Sequence, residues 1–217
     1  MSTSSPIDWT LCLIADSDAI GSRNIPEVIE QAVAGGVTLV QLRAKTWSAR
    51  EFVETGRVLS RLLKKRKIPL IINDRLDVAL VCQAPGVHIG QEDIPLTDVR
   101  RIMGAEGIIG VSVSTEQEAR EAEKNGASYV GAGPVFATLS KDTAIPALGT
   151  EGLLEIRRAV KIPVLAVGGI NAQNAAAVME TGVAGIAVIS ALLGRSDVRQ
   201  AAWELRQAIV QGPKIKS

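Results

Sequence analysis

Short apolar segments alternate with longer amphipathic stretches from one end of the chain to the other. The apolar segments are rich in Val, Ile and Leu, as buried parallel strands are, and the amphipathic stretches carry apolar residues at helical spacing. This pattern predicts a βα unit repeated eight times. The predicted strands are 11–15, 38–43, 70–72, 86–89, 108–111, 129–132, 163–167 and 185–189, and the predicted helices are 26–34, 48–67, 76–81, 96–103, 115–124, 153–160, 171–180 and 197–210.

Eight parallel strands can close into a barrel that has no edges. The predicted fold is therefore an α/β protein, a single-domain (β/α)8 TIM barrel over residues 1–217, with loose termini at about 1–8 and 211–217. An open doubly wound sheet is the alternative. That fold usually carries G-x-G-x-x-G after its first strand, whereas this chain has Asp16-Ser17-Asp18-Ala19.

The composition excludes several classes of protein. The chain has 217 residues with 2 cysteines and 1 histidine, which argues against a disulfide scaffold, a site of several histidines and Ser-His-Asp catalysis. The formal net charge of +1 gives no reason to expect nucleic acid as a partner. Neither a membrane-spanning apolar run nor a signal peptide is visible, so we expect a cytoplasmic protein. His88 lies in an apolar strand and is expected to be a core residue.

Polar side chains follow the predicted strands at their carboxyl ends, where TIM barrels carry their chemistry. The second strand delivers Gln41, Arg43 and Lys45, which the alternation along a strand places on one side. The guanidinium and ammonium groups suit an anion site. Salt bridges around the rim of the barrel are the structural alternative.

The third and fourth strands deliver carboxylates to the same end. Asn73 and Asp74 follow one strand, and Gln91 and Asp93 follow the next. Carboxylates without His or Cys partners suit Mg²⁺, which prefers oxygen ligands and leaves sites to water and substrate phosphate. Alternatively, Asp74 caps a helix and Asp93 caps the turn before Pro95. Together, beside a cationic strand end, the two carboxylates favour a metal site.

A second anion site is predicted after the seventh and eighth strands. Gly168 and Gly169 follow one strand and Ser190 the other, where TIM barrels often bind phosphate through backbone amides. The long loop after the sixth strand adds groups that could hold an anion or close over a ligand: Thr138, Ser140 and Lys141. Two anion sites beside Mg²⁺ predict the joining of a phosphorylated acceptor to a diphosphate donor with loss of pyrophosphate.

Six motifs, in order along the barrel, resemble those of the thiamine-phosphate synthase family. They are Gln41-Leu42-Arg43-Ala44-Lys45, Asn73-Asp74-Arg75-Leu76-Asp77, His88-Ile89-Gly90-Gln91-Glu92-Asp93, Gly131-Ala132-Gly133-Pro134-Val135-Phe136-Ala137-Thr138, Gly168-Gly169-Ile170 and Val188-Ile189-Ser190. The resemblance implies a Mg²⁺-dependent transferase. It would condense 4-amino-2-methyl-5-hydroxymethylpyrimidine diphosphate with a thiazole phosphate, giving thiamine phosphate and pyrophosphate through a dissociative substitution.

The resemblance also implies roles for individual residues. A donor set would hold the pyrimidine diphosphate: Gln41, Arg43, Lys45, Asn73, Ser112 and Lys141. An acceptor set would hold the thiazole phosphate: Thr138, Ser140, Gly169, Ile189 and Ser190. Asp74 and Asp93 would bind Mg²⁺. The implied catalytic residues are the three cations of the donor set, Arg43, Lys45 and Lys141.

Two positions depart from the family pattern. Ser140 stands where Thr is common, which keeps the hydroxyl, and Ser114 stands where many relatives have His. A paralogue that isomerises the thiazole phosphate works through a His near that position. Ser114 therefore argues against interpreting this chain as that paralogue. A third reading is a non-catalytic barrel that binds thiazole or thiamine phosphate for regulation. The expected partners are small phosphorylated molecules, and the sequence leaves open a homo-oligomer.

Overall fold

Eight parallel strands close into a barrel in the order of the sequence, with the last strand pairing to the first. The structure is a computed structural model that describes residues 6–138 and 146–211. It confirms the predicted (β/α)8 barrel. The strands are β1 (Leu11–Asp16), β2 (Leu39–Arg43), β3 (Leu70–Asn73), β4 (Gly86–Ile89), β5 (Ile108–Val113), β6 (Tyr129–Ala132), β7 (Val164–Val167) and β8 (Gly185–Val188).

Helices follow the strands and cover the outside of the barrel. Within the described ranges they are α1 (Ser17–Ile20), α2 (Ile25–Ala34), α3 (Ala49–Lys65), α4 (Leu76–Val81), α5 (Leu96–Met103), α6 (Glu116–Lys124), α7 (Gly149–Ala159), α8 (Ala175–Met179), α9 (Ser190–Leu193) and α10 (Val198–Gln211). Both capping-box sequences form as the spacing requires: Ser48 with Glu51 begins α3, and Thr115 with Glu118 begins α6.

The strands are buried on both faces, which explains their continuous apolar sequences. Every residue of β1 is buried, and Leu13, Val40 and Ile72 are completely inaccessible to solvent. Gly110 in β5 leaves space inside the barrel for larger neighbours. A Cβ atom there would lie 2.2 Å from the Tyr129 ring and 2.4 Å from the His88 ring. The barrel interior is thus packed around these two rings.

Four elements differ from the sequence prediction. The helix α7 begins at Gly149, four residues before the predicted 153–160. The helices α1 and α9 have only four residues each, too few for apolar periodicity to reveal them. The helix α8 is shorter than the predicted 171–180 because the Asn174 side chain binds the backbone that precedes the helix. Asn174 accepts a hydrogen bond from the Asn171 amide at 2.8 Å and donates to the Gly169 carbonyl at 3.0 Å.

The parallel register brings the polar strand ends to one mouth of the barrel. Asp16 at the end of β1 is paired with Arg43 at the end of β2, and Asn73 of β3 is paired with His88 of β4. On the other side, Ser112 of β5 is paired with Gly131 of β6. Among the described helices, none has the length and apolar character needed to cross a membrane.

Candidate active site

Two cation–carboxylate pairs lie along one side of the mouth. Arg43 of β2 forms an ion pair with Asp16 of β1, and Lys45 forms one with Asp74 after β3. The Arg43–Asp16 pair is largely buried, whereas the Lys45 side chain is 53% exposed. The predicted rim salt bridges therefore form, and they use the same cations that the sequence assigns to an anion site.

Asp74 occupies a constrained position. Its backbone has a φ of 60°, and its backbone N–H donates a hydrogen bond to the His88 carbonyl at 2.7 Å. Its Oδ1 accepts a hydrogen bond from the side-chain amide of Asn73 at 2.5 Å. Burial raises the pKa of this carboxyl above its usual value, Lys45 opposes that rise, and the neighbouring Asp93 carboxylate adds to it. Asp74 does not cap α4, which begins after Arg75 without a side-chain cap. The helix-cap alternative for Asp74 is therefore wrong.

Asp93 lies close enough to Asp74 to influence its titration, and it is held by the backbone. Its Oδ2 accepts a hydrogen bond from the Gly90 amide at 2.7 Å. In the part of the chain that the structure describes, no three His, Cys, Asp or Glu side chains form a cluster that could hold a metal. Two neighbouring carboxylates nevertheless fit Mg²⁺, which binds through one or two carboxylates together with substrate phosphates and water. A bound Mg²⁺ would offset the repulsion between these two carboxylates.

A buried hydrogen-bond network crosses the barrel interior. His88 Nε2 lies 2.9 Å from Ser112 Oγ, and His88 Nδ1 lies 2.9 Å from the Tyr129 hydroxyl. The Gln41 side chain also hydrogen-bonds the Tyr129 hydroxyl, and burial raises the pKa of that phenol well above its usual value. His88 is thus a buried, hydrogen-bonded residue, as its apolar surroundings predict. It also connects Gln41 and Ser112, both members of the predicted donor set.

A cavity of about 400 Å³ opens at the ends of β5 to β8. Its walls are mainly apolar, from Val113, Pro134, Val167, Ile170 and Ala187. The predicted residues that line it are Ser112, Thr138, Gly169, Ile189 and Ser190. The cavity therefore brings together every described member of the acceptor set, with one member of the donor set at its edge.

The backbone after β7 approaches the cavity closely because it lacks side chains. Gly168 and Gly169 have φ values of 102° and 66°, which glycine adopts without strain. A Cβ atom at Gly169 would lie 2.7 Å from Phe136 Cβ. Ser190, at the first position of α9, lines the same cavity. An apolar pocket with a few hydroxyls and close backbone is suited to a phosphorylated ring.

Comparison with known proteins decides the family. The thiamine monophosphate synthase family profile matches residues 11–192. The chain belongs to the thiamine monophosphate synthase family. Thiamine-phosphate synthase of Syntrophomonas wolfei subsp. wolfei is 48% identical over 200 residues, covering 92% of this chain and 96% of the relative. That of Moorella thermoacetica is 47% identical over 203 residues, covering 94% and 97%.

A solved structure supports the same assignment. Thiamine phosphate pyrophosphorylase from Pyrococcus furiosus superimposes with a TM-score of 0.87 at 42% identity, covering 94% of this chain and 97% of its own. A 3-hexulose-6-phosphate synthase structure superimposes with a TM-score of 0.68 at 18% identity and shares the fold. The family predicted from the sequence motifs is thereby confirmed.

Some predicted residues of the thiamine monophosphate synthase pattern cannot be placed. Ser140 and Lys141 lie outside the described residues, while Thr138 lies within them, at the cavity. Ser114, the departure from the family pattern, donates its hydroxyl to Glu118 Oε2 at 3.0 Å. That hydroxyl is thereby tied to the start of α6.

Sequence reasoning missed one polar side chain near the predicted site, and it missed the partner of a second that it had placed at a strand end. Asp16 holds Arg43, and Gln91 donates its amide to the Ser112 carbonyl at 2.6 Å. For Asp16 a signal existed, because it ends a strand as the predicted site residues do. The contact of Gln91 with Ser112 joins residues 21 apart, which no local pattern reports.

Proposed function

We propose that this protein condenses 4-amino-2-methyl-5-hydroxymethylpyrimidine diphosphate with a thiazole phosphate, releasing pyrophosphate and forming thiamine phosphate. The observation that carries the proposal is the division of one barrel mouth into two regions. Two cations stand beside paired carboxylates on β1 to β4, and an apolar cavity with hydroxyls and a glycine turn opens on β5 to β8. The membership of the family supports the same reaction.

The donor side would bind the diphosphate. Arg43 offers planar N–H donors beyond the one engaged by Asp16, and Lys45 offers a compact charge on a flexible stem. Gln41 and Asn73, fixed by buried hydrogen bonds, would orient the pyrimidine end. Ser112, bound to His88, lies between this side and the cavity. Together these groups would place the reacting carbon towards the acceptor.

Asp74 and Asp93 would hold Mg²⁺. When bound, this ion would neutralise charge on the departing pyrophosphate. Lys45 contacts Asp74 through an exposed, flexible side chain, so it can leave that carboxylate for the diphosphate without disturbing the buried structure. Mg²⁺ remains a proposal that rests on the position and charge of these two residues.

The acceptor side would hold the thiazole phosphate. The phosphate would lie at the Gly168–Gly169 turn and Ser190, where backbone amides and a hydroxyl can donate to it. The apolar walls would enclose the ring. Thr138 would add a hydroxyl from the loop after β6, and Ser140 would add another.

The chemistry asks for charge stabilisation more than for proton transfer. The bond between the pyrimidine methylene carbon and the diphosphate oxygen breaks with both electrons leaving on pyrophosphate, and the thiazole nitrogen then donates its pair to the carbon. Arg43, Lys45 and Lys141 would stabilise the leaving anion. Enclosure of the reacting carbon would keep water from capturing it. Both ring nitrogens of His88 are hydrogen-bonded inside the barrel, which fits a reaction without a histidine base.

The deciding experiment measures pyrophosphate released when the protein is incubated with both substrates and Mg²⁺. We expect release to require both substrates, and Asp93→Ala to abolish most of it while the protein stays folded by circular dichroism. Asp77→Ala is the matched control, because Asp77 is an exposed carboxylate three positions after Asp74 that pairs with Arg75. It should keep its activity.

Three other outcomes would contradict parts of the proposal. Full Mg²⁺-dependent activity in Asp93→Ala would remove Asp93 from the metal site. Tight binding of thiazole phosphate or thiamine phosphate without pyrophosphate release would favour the non-catalytic regulatory barrel. Isomerisation of the thiazole phosphate alone would favour the paralogue, against which Ser114 stands.

A further inference from the structure

The structure assigns Asp16 as the positioning residue for Arg43: its carboxylate aims the guanidinium of Arg43 into the mouth of the barrel. This inference rests on the proposed function, in which Arg43 binds the diphosphate. Asp16 would not touch the substrate itself. It would act by fixing the cation that does.

Both oxygens of the Asp16 carboxylate are engaged by fixed partners. Oδ1 accepts a hydrogen bond from the Ala19 amide at 3.0 Å, which makes Asp16 the N-cap of α1. Oδ2 accepts from Nη1 of Arg43. The side chain of Asp16 is only 9% exposed and that of Arg43 only 18%. The carboxylate is therefore held by the backbone on one side and holds the guanidinium on the other.

The strand register reinforces this arrangement. Asp16 and Arg43 are the last residues of adjacent parallel strands and are direct partners in the β1–β2 pairing. A guanidinium carries five N–H donors in a rigid plane, so fixing one of its nitrogens sets the direction of the others. The Lys45–Asp74 pair differs, because the Lys45 ammonium is a point charge on a largely exposed stem. Of these two cations, Arg43 is therefore the one whose orientation is fixed by its contacts.

The charge of Asp16 and its positioning role would change diphosphate binding in opposite directions. A carboxylate beside an anion site repels the anion, so removing its charge should tighten diphosphate binding if charge were its only influence. If Asp16 positions Arg43, removing its charge should weaken diphosphate binding, because the guanidinium loses its fixed direction. The sign of the change therefore separates the two roles.

The experiment compares Asp16→Asn with the unaltered protein, using calorimetry with Mg²⁺-pyrophosphate and, separately, with thiazole phosphate. Asn keeps the size of the side chain and is an equally good N-cap, so α1 should stay intact. Since hydrogen bonds between ions are among the strongest, we expect pyrophosphate affinity to fall by about tenfold. Thiazole phosphate affinity should change less than about twofold, because a substitution at one site has little effect on a distant site that shares no partner with it. In turnover, KM for the diphosphate should rise more than kcat falls.

Asp16→Ser supplies a second variant, since serine also caps helices but carries no carboxylate. Asn24→Ala controls for the loss of a helix cap, because Asn24 caps α2 through the Glu27 amide and is not among the residues placed at the mouth. It should lower the melting temperature and leave pyrophosphate affinity unchanged. In an Arg43→Ala background, Asp16→Asn should no longer weaken pyrophosphate binding, because no guanidinium is left to position and only the repulsion between Asp16 and the anion is removed.

If Arg43→Ala weakens pyrophosphate binding, then unchanged or tighter pyrophosphate binding in both Asp16 variants would overturn the inference. Equal losses for both ligands would also overturn it, since they would indicate a general structural defect. If Arg43→Ala itself left pyrophosphate binding intact, the donor site of the proposed function would fail instead. The two failures are therefore distinguishable.

Discussion

At the scale of single residues, Asp74 shows a conflict between stability and charge. Its backbone has a positive φ, its carboxyl is largely buried, and Asp93 lies beside it. Burial is the largest cause that raises its pKa, and the Lys45 pairing does not compensate fully. The ionised form is therefore less favourable in the folded protein than in the unfolded chain. Such unfavourable groups are typical of functional sites.

Asp74→Asn should therefore raise the melting temperature at pH 7 and abolish most pyrophosphate release. A carboxyl with a raised folded-state pKa contributes stability below its unfolded pKa that is lost as the pH rises through the folded value. At pH 7, well above the usual value of 3.8, asparagine avoids this loss while tolerating the positive φ. We expect a rise of about 1–3 °C. The difference should shrink as the pH falls through the raised folded-state pKa and should be smallest below the usual value of 3.8, and thermal denaturation across pH measures it.

Asp77→Asn is the control with the opposite sign. Arg75 holds the pKa of Asp77 below its usual value, so its ionised form favours folding. Its stabilisation is present above the unfolded pKa, and the amide should therefore lower the melting temperature slightly at pH 7. A lower melting temperature for Asp74→Asn than for the unaltered protein at pH 7 would contradict this account of Asp74.

The sequence identified single residues better than their partners. It placed Arg43, Asp74 and Ser190 at strand ends, and the structure puts all three at the mouth. It did not show that Asp16 holds Arg43, or that His88 connects Tyr129 to Ser112. These contacts join residues 27, 41 and 24 positions apart. Such pairs depend on the strand register and on how side chains meet inside the barrel, neither of which periodicity predicts.

At the scale of elements, the strands were predicted more closely than the short helices. Exposing an apolar run of four to six residues to water is unfavourable, and such runs bounded by turn residues and rich in Val and Ile indicate buried strands. The helices α1 and α9 have too few residues for a periodic face. The start of α8 was wrong because Asn171 and Asn174 bind each other's backbone in a turn instead of continuing the helix.

The turn between β7 and α8 gives a prediction at this scale. Gly169→Ala should destabilise the protein more than Gly182→Ala and should weaken thiazole phosphate binding. Both glycines have positive φ, so each substitution carries a backbone cost of about 1–2 kcal/mol. A Cβ at Gly182 meets nothing within 4 Å, whereas one at Gly169 would lie 2.8 Å from the Ala137 carbonyl oxygen. The turn or the chain after β6 must therefore move in Gly169→Ala.

Thermal denaturation and calorimetry with each ligand test this prediction. Pyrophosphate affinity should remain within about twofold in both variants, because the turn lies on the acceptor side. Equal stability losses in the two variants would show that the close packing at Gly169 has no energetic consequence. Unchanged thiazole phosphate binding in Gly169→Ala would remove the turn from the acceptor site.

At the scale of the whole molecule, the closed barrel assembles a site from residues that are far apart in sequence. Gln41 and Ser190 are separated by most of the chain, yet β2 and β8 both pair with β1. This assembly was predictable, because polar residues at the carboxyl ends of parallel barrel strands must meet at one mouth. The role of Ser140 and Lys141 in closing that mouth stays a prediction, since residues 139–145 lie outside the described structure.

The division of the mouth predicts that its two anion sites are energetically separate. Arg43→Ala should weaken Mg²⁺-pyrophosphate binding by about tenfold or more, because it removes a charged donor, and should change thiazole phosphate binding little. Ser190→Ala should do the reverse. Arg43 is held by Asp16 on β1, and Ser190 begins α9 beside the cavity; the described structure shows no side chain shared by both.

Calorimetry on the two single variants and the double variant measures this separation. Groups without shared partners contribute additively, so the double variant should show both losses at about their individual sizes, within roughly 0.5 kcal/mol. Comparable loss of both ligands in Arg43→Ala would mean that the mouth is one electrostatic site, with each ligand sensing the whole set of cations. We do not expect that outcome, because each anion would be held by short-range donors on its own group of strands. Such contacts do not extend across the mouth.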